Sequence, residues 1–217
     1  MAKQERAIRT RRAILEAAGA VFDEHGYMST TIAMVLERAE VTKGALYFHF
    51  ASKESLAQAV LSEQVPFGAV PPQPCKLQEI VDMTFVVGQR LLSNALLRGS
   101  VRLAVDQETP AAGIDHGEPF LQWAQALTAL LELARERGEL LPTVKPRETV
   151  ELLVGTFTGI QLMSRALTDR ADLADRLSVM WAHILPSIAV PGLLPRLDTL
   201  PDRGVRVLAS LEERAAS

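Results

Sequence analysis

The chain has 217 residues, 48% hydrophobic and 23% charged, enough to bury a core in one or two domains. Its single cysteine, Cys75, excludes an intrachain disulfide and a cysteine-based zinc cluster, and suits a reducing cytosol. A net charge of −3 argues against nucleic-acid binding until it is divided: residues 1–53 hold eight Lys/Arg against six Asp/Glu, or +2, and the remainder hold fifteen against twenty, or −5.

The chain opens on MAKQERAIRTRR, which carries five of those cations, Lys3, Arg6, Arg9, Arg11 and Arg12, and no apolar signal core follows it. Ile14, Leu15, Ala18, Val21 and Phe22 then form one helical stripe, and Gly26 ends that helix with a residue suited to a left-handed cap. Ser29, Thr30 and Thr31 offer an N-cap for a second, short apolar stripe, Ile32, Val35, Leu36 and Ala39. Three residues, Glu40 to Thr42, separate this from Lys43, which lies in VTKGALYFHF, residues 41–50. Its aromatics suggest a strand by propensity, but no neighbouring segment could pair with one. A helix capped by Thr42 and beginning at Lys43 is the better reading, with Ala45, Leu46, Phe48 and Phe50 expected in the core and the polar tips of Tyr47 and His49 outside. Ser52 caps a further helix whose Leu56, Ala59 and Val60 face inward.

Two short capped helices joined by a three- to four-residue turn make a helix-turn-helix, whose second helix enters the DNA major groove. Lys43 then stands at the end of the helix that reaches base edges, where lysine can donate to guanine O6 and N7. Gly44 fits because a side chain there would hold the helix away from DNA. Tyr47, one turn on, can reach a phosphate.

The segment 66–74, PFGAVPPQP, cannot continue a helix and reads as a linker. Helical patterns follow at Leu77–Leu92, Leu96–Val105, Pro119–Arg137, Arg147–Thr168, Asp172–Leu185 and Arg203–Arg214, with a loop over Asp106–Gly117. The longest uncharged run, Leu177–Pro195, has the length of a membrane span but contains Pro186, Pro191 and Pro195, so no membrane insertion is expected. The uncharged run Leu152–Ser164 has a length typical of a buried helix and holds four polar side chains, Thr156, Thr158, Gln161 and Ser164. Thr156 and Thr158 point to nearly opposite faces, and periodicity does not say which one faces a pocket.

RAIRTRRAILEAAGAVFDEHGYMSTTIAMVLERAEVTKGALYFHFASKESLAQAVL resembles the DNA-binding part of the TetR family of transcriptional repressors, and the TTI, VTKGALYFHF and SKE segments carry the match. LRGSVRLAVD, PFLQWAQAL, RERGELLP and ELLVGTFTGIQLMSRAL are similar to the γ-butyrolactone autoregulator receptors of antibiotic-producing actinobacteria, so the likeness covers nearly the whole chain apart from the Pro-rich segment. It implies an all-α cytoplasmic homodimer with no cofactor and no catalytic or metal site. A helix-turn-helix domain (1–52) would precede a ligand-binding and dimerisation domain (53–217), with a linking helix at about 53–65 and the last long helices pairing with the twin. Its partners would be double-stranded DNA carrying a pseudo-palindromic operator and a small γ-butyrolactone, butenolide or furan signal that releases it, in control of antibiotic production.

The likeness also implies roles for residues. Thr42, Lys43 and Gly44 would meet base edges, Tyr47 and His49 would bind backbone phosphate, and Thr31 and Lys53 would assist from neighbouring helix N-termini. Arg6 and Arg9, in a flexible arm, would reach the backbone or minor groove. In the body, Trp123 and Phe85 would line the pocket, Thr158 would face the ligand's polar group, and Gln64 at the end of the linking helix would be a second polar partner. Trp181, without such a match, reads as core or dimer packing.

Of three alternatives, one lies within this class and two outside it. A drug-sensing efflux regulator or a pseudo-receptor answering the antibiotic would share the fold; the acidic pI of about 5.9 leans towards a true receptor, by analogy with the family. An enzyme would need a constellation that is missing: there is no G-x-S-x-G, H-E-x-x-H, P-loop or G-x-G-x-x-G, and the four histidines are widely separated. A helical interaction module without DNA binding would have no reason to place Lys43, Gly44 and Tyr47 on one exposed helix.

Overall fold

The computed structural model describes residues 2–62, 70–106 and 114–215. Among these there are ten α-helices, one 3-10 helix and no strand beyond an isolated bridge between Leu140 and Ala189. The chain divides into two compact units, Met1–Gln64 with Asn94–Phe120, and Val65–Ser93 with Leu121–Ser217. By packing, the helix after residue 53 and the helix 95–105 therefore belong with the N-terminal segment, so the expected 1–52 domain is a division by role only.

In the first unit, α1 (Ala2–Ser29) changes direction at Gly26, whose φ of 73° is left-handed backbone that favours glycine. The basic arm is the beginning of this helix and not a flexible extension: residues 2–13 contain no Gly or Pro and are dominated by strong helix formers, so the helix propagates outward from its buried part. Helices α2 (Ile32–Ala39) and α3 (Lys43–His49) begin at Thr31 and Thr42, whose hydroxyls accept from Met34 N at 3.3 Å and Ala45 N at 3.2 Å. Helix α4 (Lys53–Ser62) begins at Ser52, whose Oγ accepts from Ser55 N while Ser55 Oγ accepts from Ser52 N. Ile14, Leu15, Val21 and Phe22 of α1 form one core with Leu46, Phe50, Leu56 and Val60.

Helix α6 (Ala95–Val105) completes this unit from behind. A Cβ on its Gly99 would lie 2.1 Å from Gly19 O, so backbone meets backbone at the crossing of α1 and α6. Leu96 and Leu103 join the core above and below it, and Arg98 pairs with Asp23 at 2.6 Å.

The second unit holds α5 (Lys76–Ser93), most of α7 (Glu118–Glu136), α8 (Pro146–Thr168), α9 (Leu173–Ile188), a 3-10 turn (Pro191–Arg196) and α10 (Arg203–Ala215). Trp181 is fully buried, as core packing requires, and donates from Nε1 to Thr84 Oγ1 at 2.8 Å. Asp82, with no exposed surface, receives a two-pronged ion pair from Arg203 at 2.7 and 2.8 Å and a further amide bond from Gln78 at 2.7 Å. The Glu139 carboxylate accepts from Lys76 N and Leu77 N at 3.0 and 2.9 Å, satisfying the N-terminus of α5. No single helix among the described residues is long and apolar enough to cross a membrane.

Helix α8 differs from the buried helix expected of its uncharged run. Val150, Leu153, Gln161 and Ser164 are buried along one stripe, whereas Leu152 and Met163 on the other side are 61% and 54% exposed. Absence of charge marks a helix that is apolar all round, and only tertiary contacts select which stripe is covered.

Two predictions follow from these charges. Arg203→Ala leaves a buried carboxylate without its partner and is expected to cost about 3–5 kcal/mol, read as a lowered midpoint in urea unfolding. At the α8–α9 turn, the Arg176 guanidinium and then the Ser164 and Thr168 hydroxyls hold the Asp172 carboxyl below the usual carboxylate range. A carboxyl depressed on folding contributes stability above its unfolded pKa and loses it in acid. Asp172→Asn is therefore expected to melt below wild type at pH 7, with the gap narrowing below about pH 4.

Candidate nucleic-acid interface and ligand-binding core

Helix α3 separates its residues cleanly. Leu46 and Phe50 are buried and Ala45 and His49 half-buried, while Thr42, Lys43, Gly44, Tyr47 and Phe48 are exposed. One expectation fails here: Phe48 is 79% exposed and not in the core. A seven-residue helix has only a narrow buried stripe, and Leu46 and Phe50, four residues apart, fill it.

The remaining DNA-binding candidates lie at the caps and on the other helices of this unit. Thr31 and Thr42 are exposed caps, and since each hydroxyl accepts from its own helix, its proton is left for an acceptor outside. The Lys43 ammonium lies 5.9 Å from the Tyr47 ring centre, which keeps both polar tips on one side. The Lys53 ammonium sits 4.3 Å from the Tyr27 ring, and burial lowers its pKa, so the cation is held at the start of α4 on an aromatic face. Tyr27 in turn donates to Glu54 at 3.0 Å, and burial and that carboxylate push its hydroxyl up to about 12. His49 stands between the rings of Phe48 and Phe50, at 5.0 and 6.3 Å. Arg6 and Arg9 are exposed on the first turns of α1.

Three acids of this unit are engaged with arginines. Glu16 pairs with Arg12 at 2.7 Å, Glu24 with Arg38 at 2.7 Å, and Asp23 with Arg98 at 2.6 Å. The weak overall charge thus coexists with exposed cations at Lys43, Arg6 and Arg9.

In the second unit, Trp123 of α7 stacks on Phe157 of α8, ring centres 6.2 Å apart and planes 16° from parallel. Thr158 adjoins that pair, but its hydroxyl donates to Val154 O at 2.8 Å, so towards anything else it can only accept. Thr156 and Thr158 are both half-buried, and Thr156 is on the side of Leu152 and Met163, four residues after the one and seven before the other. Phe85 is buried in α5 beside a cavity of about 30 Å³ shared with Leu173, Leu177 and Gly204, which does not reach Trp123 or Thr158. Gln64 lies outside the described residues.

Gln161 was visible in the sequence only as one of four polar side chains on α8. It is 1% exposed and neither amide atom has a hydrogen-bond partner. A buried amide left so costs about 1–3 kcal/mol. It is four residues beyond Phe157, and helical side chains lean back towards the preceding turn, which carries the amide towards the aromatic pair.

Comparison with known proteins gives one answer along the chain. Residues 14–60 match the bacterial regulatory proteins of the tetR family, and residues 75–191 match the tetracyclin repressor-like C-terminal domain. The chain belongs to the TetR family: it is a DNA-binding transcriptional regulator and not an enzyme. It is 43% identical over 215 residues to the A-factor receptor protein of Streptomyces griseus, covering 99% of this chain and 76% of that one. The crystal structure of full-length native TylP, a TetR regulator from Streptomyces fradiae, is 46% identical with a TM-score of 0.87, covering 95% of this chain and 99% of TylP. That of a gamma-butyrolactone receptor (ArpA-like protein) is 29% identical with a TM-score of 0.71, covering 96% and 99%.

Gly44 supplies a test that separates binding from folding. A Cβ there would meet nothing within 4 Å, so Gly44→Ala is expected to stabilise α3 by about 0.5–1 kcal/mol through helix propensity. The same methyl group would stand between the helix and the groove floor. A raised melting midpoint with weakened operator binding is the expected outcome, and undiminished binding would remove Gly44 from the interface.

Proposed function

We propose that the chain is a homodimeric repressor, cytoplasmic with its operator, which a small γ-butyrolactone-type signal releases. What supports this most is that its likeness to receptor proteins runs through the body as well as the DNA-binding head, over almost the full length. The exposed apolar stripe of α8, Leu152, Met163 and Leu167, with Val179 of α9, supports pairing with a second copy. Two heads related by a twofold axis then suit half-sites roughly 34 Å apart. Lys43, Thr42 and Gly44 approach the bases, while Tyr47, His49, Thr31, Lys53, Arg6 and Arg9 hold the backbone.

On the ligand side, Trp123 and Phe157 offer a flat apolar clamp. A lactone ring carries only acceptors, its carbonyl and ring oxygens, so it needs a donor. The Thr158 proton is spent on Val154 O. The Gln161 amide has two N–H bonds without partners and serves as that donor, with Thr158 accepting from any hydroxyl on the ligand.

At the start of α7, Glu118 accepts from the Gln58 amide of α4 at 3.2 Å, and Gln58 Oε1 accepts from Asp115 N at 3.0 Å, so the helix that starts at Lys53 is tied to the segment that opens α7. Release by a 100-fold preference for the DNA-incompetent state corresponds to roughly 2.7 kcal/mol of coupling.

The test is operator binding by the full-length protein, using DNA from its own upstream region, titrated with a γ-butyrolactone. Wild type should dissociate. Gln161→Leu should bind operator as before and need at least about tenfold more lactone for half-release, the worth of one buried hydrogen bond. If wild type ignores lactone but answers the antibiotic, the signal class is wrong. If wild type responds and Gln161→Leu responds equally, only the donor is wrong.

A further inference from the structure

No large apolar side chain among the described residues is more exposed than Phe48, and it sits on the helix that meets DNA. At about 100° per residue, Lys43, Tyr47, Gly44 and Phe48 fall within an arc of about 140°, with Leu46 and Phe50 outside it. Phe48 is thus on the same surface as the groups that approach the bases, and not at a side of α3 turned towards the core. It lies one turn after Gly44, where a Cβ would meet nothing within 4 Å, so the surface beside the ring is open. The His49 ring meets it at 82°, 5.0 Å between centres, which limits how far it can swing.

A phenylalanine has no hydrogen bond to offer a phosphate or a base edge. The one apolar group that the major groove presents is the C5-methyl of thymine. We propose that Phe48 reads a thymine methyl in each half-site, next to the base edges that Lys43 and Gly44 approach. This rests on α3 being the helix that enters the groove. Lys43 and Tyr47 would then fix the helix on its donor groups while Phe48 supplies selectivity for T over C at one step, covering in the complex the apolar surface that the free protein leaves in water.

The experiment compares full-length wild type and Phe48→Ala on two operator duplexes, one natural and one with every thymine replaced by deoxyuridine. The replacement removes the methyl groups and keeps all base-pairing groups. Wild type is expected to prefer the thymine duplex by about fourfold per half-site, the worth of one buried methyl group. Phe48→Ala is expected to lose that preference while keeping the wild-type melting midpoint, since its side chain packs against no core. If Phe48→Ala discriminates as strongly as wild type, the methyl groups are sensed elsewhere and the proposal falls. If it binds both duplexes as wild type does, Phe48 is idle at the interface and the proposal falls while operator binding stands. Failure of wild type to bind either duplex overturns the DNA-binding reading itself, and the proposal with it.

Discussion

The crossing of α1 and α6 at Gly19 and Gly99 is the constraint on which the DNA-binding unit depends. No side chain separates the two backbones, and a Cβ on either glycine would collide with the other helix. That close approach lets Leu96 and Leu103 reach into a core otherwise made by residues 14–61, and places Arg98 beside Asp23. Close packing of this kind is intolerant of even one added methylene. Helix α1 is the frame against which α2, α3 and α4 are set, so the aim of the recognition helix rests on a contact made by a segment far along the chain.

The recognition surface itself is built economically. Thr31 and Thr42 cap their helices, and each keeps a hydroxyl proton that the cap does not use. Lys53 is fixed on an aromatic face, and Glu16, Glu24 and Asp23 are matched to Arg12, Arg38 and Arg98. Local charge arrangement decides attraction at Debye-length distances, and a net charge of −3 does not oppose it. The same segment that is short enough to fit a groove has too little buried surface to hide all its aromatics, which is why one of them is outside.

The body follows a different logic. Its polar groups are mostly consumed in holding helices together: Asp82 with Arg203, Glu139 on the start of α5, Asp172 at the α8–α9 turn. Against that background an amide with neither atom partnered stands out, because burial without a hydrogen bond is the costly case. Gln161 and the Trp123–Phe157 stack are not explained by helix packing alone.

Much of this was legible in the sequence because it is local. The caps at Thr31, Thr42 and Ser52, the break at Gly26 and the helix patterns of the body depend on residues within one or two turns of each other, and each is where the sequence put it. The DNA-binding class was legible too, since VTKGALYFHF carries its polar tips and its glycine at helical spacing. Only the tertiary structure decided which face of an apolar segment is covered. It turned Phe48 outward, left Leu152 and Met163 in water while burying Gln161, extended α1 through the basic arm, and drew α6 into the N-terminal unit. Periodicity fixes which residues share a face, but which face is buried depends on partners distant in the chain, and no window of sequence contains them.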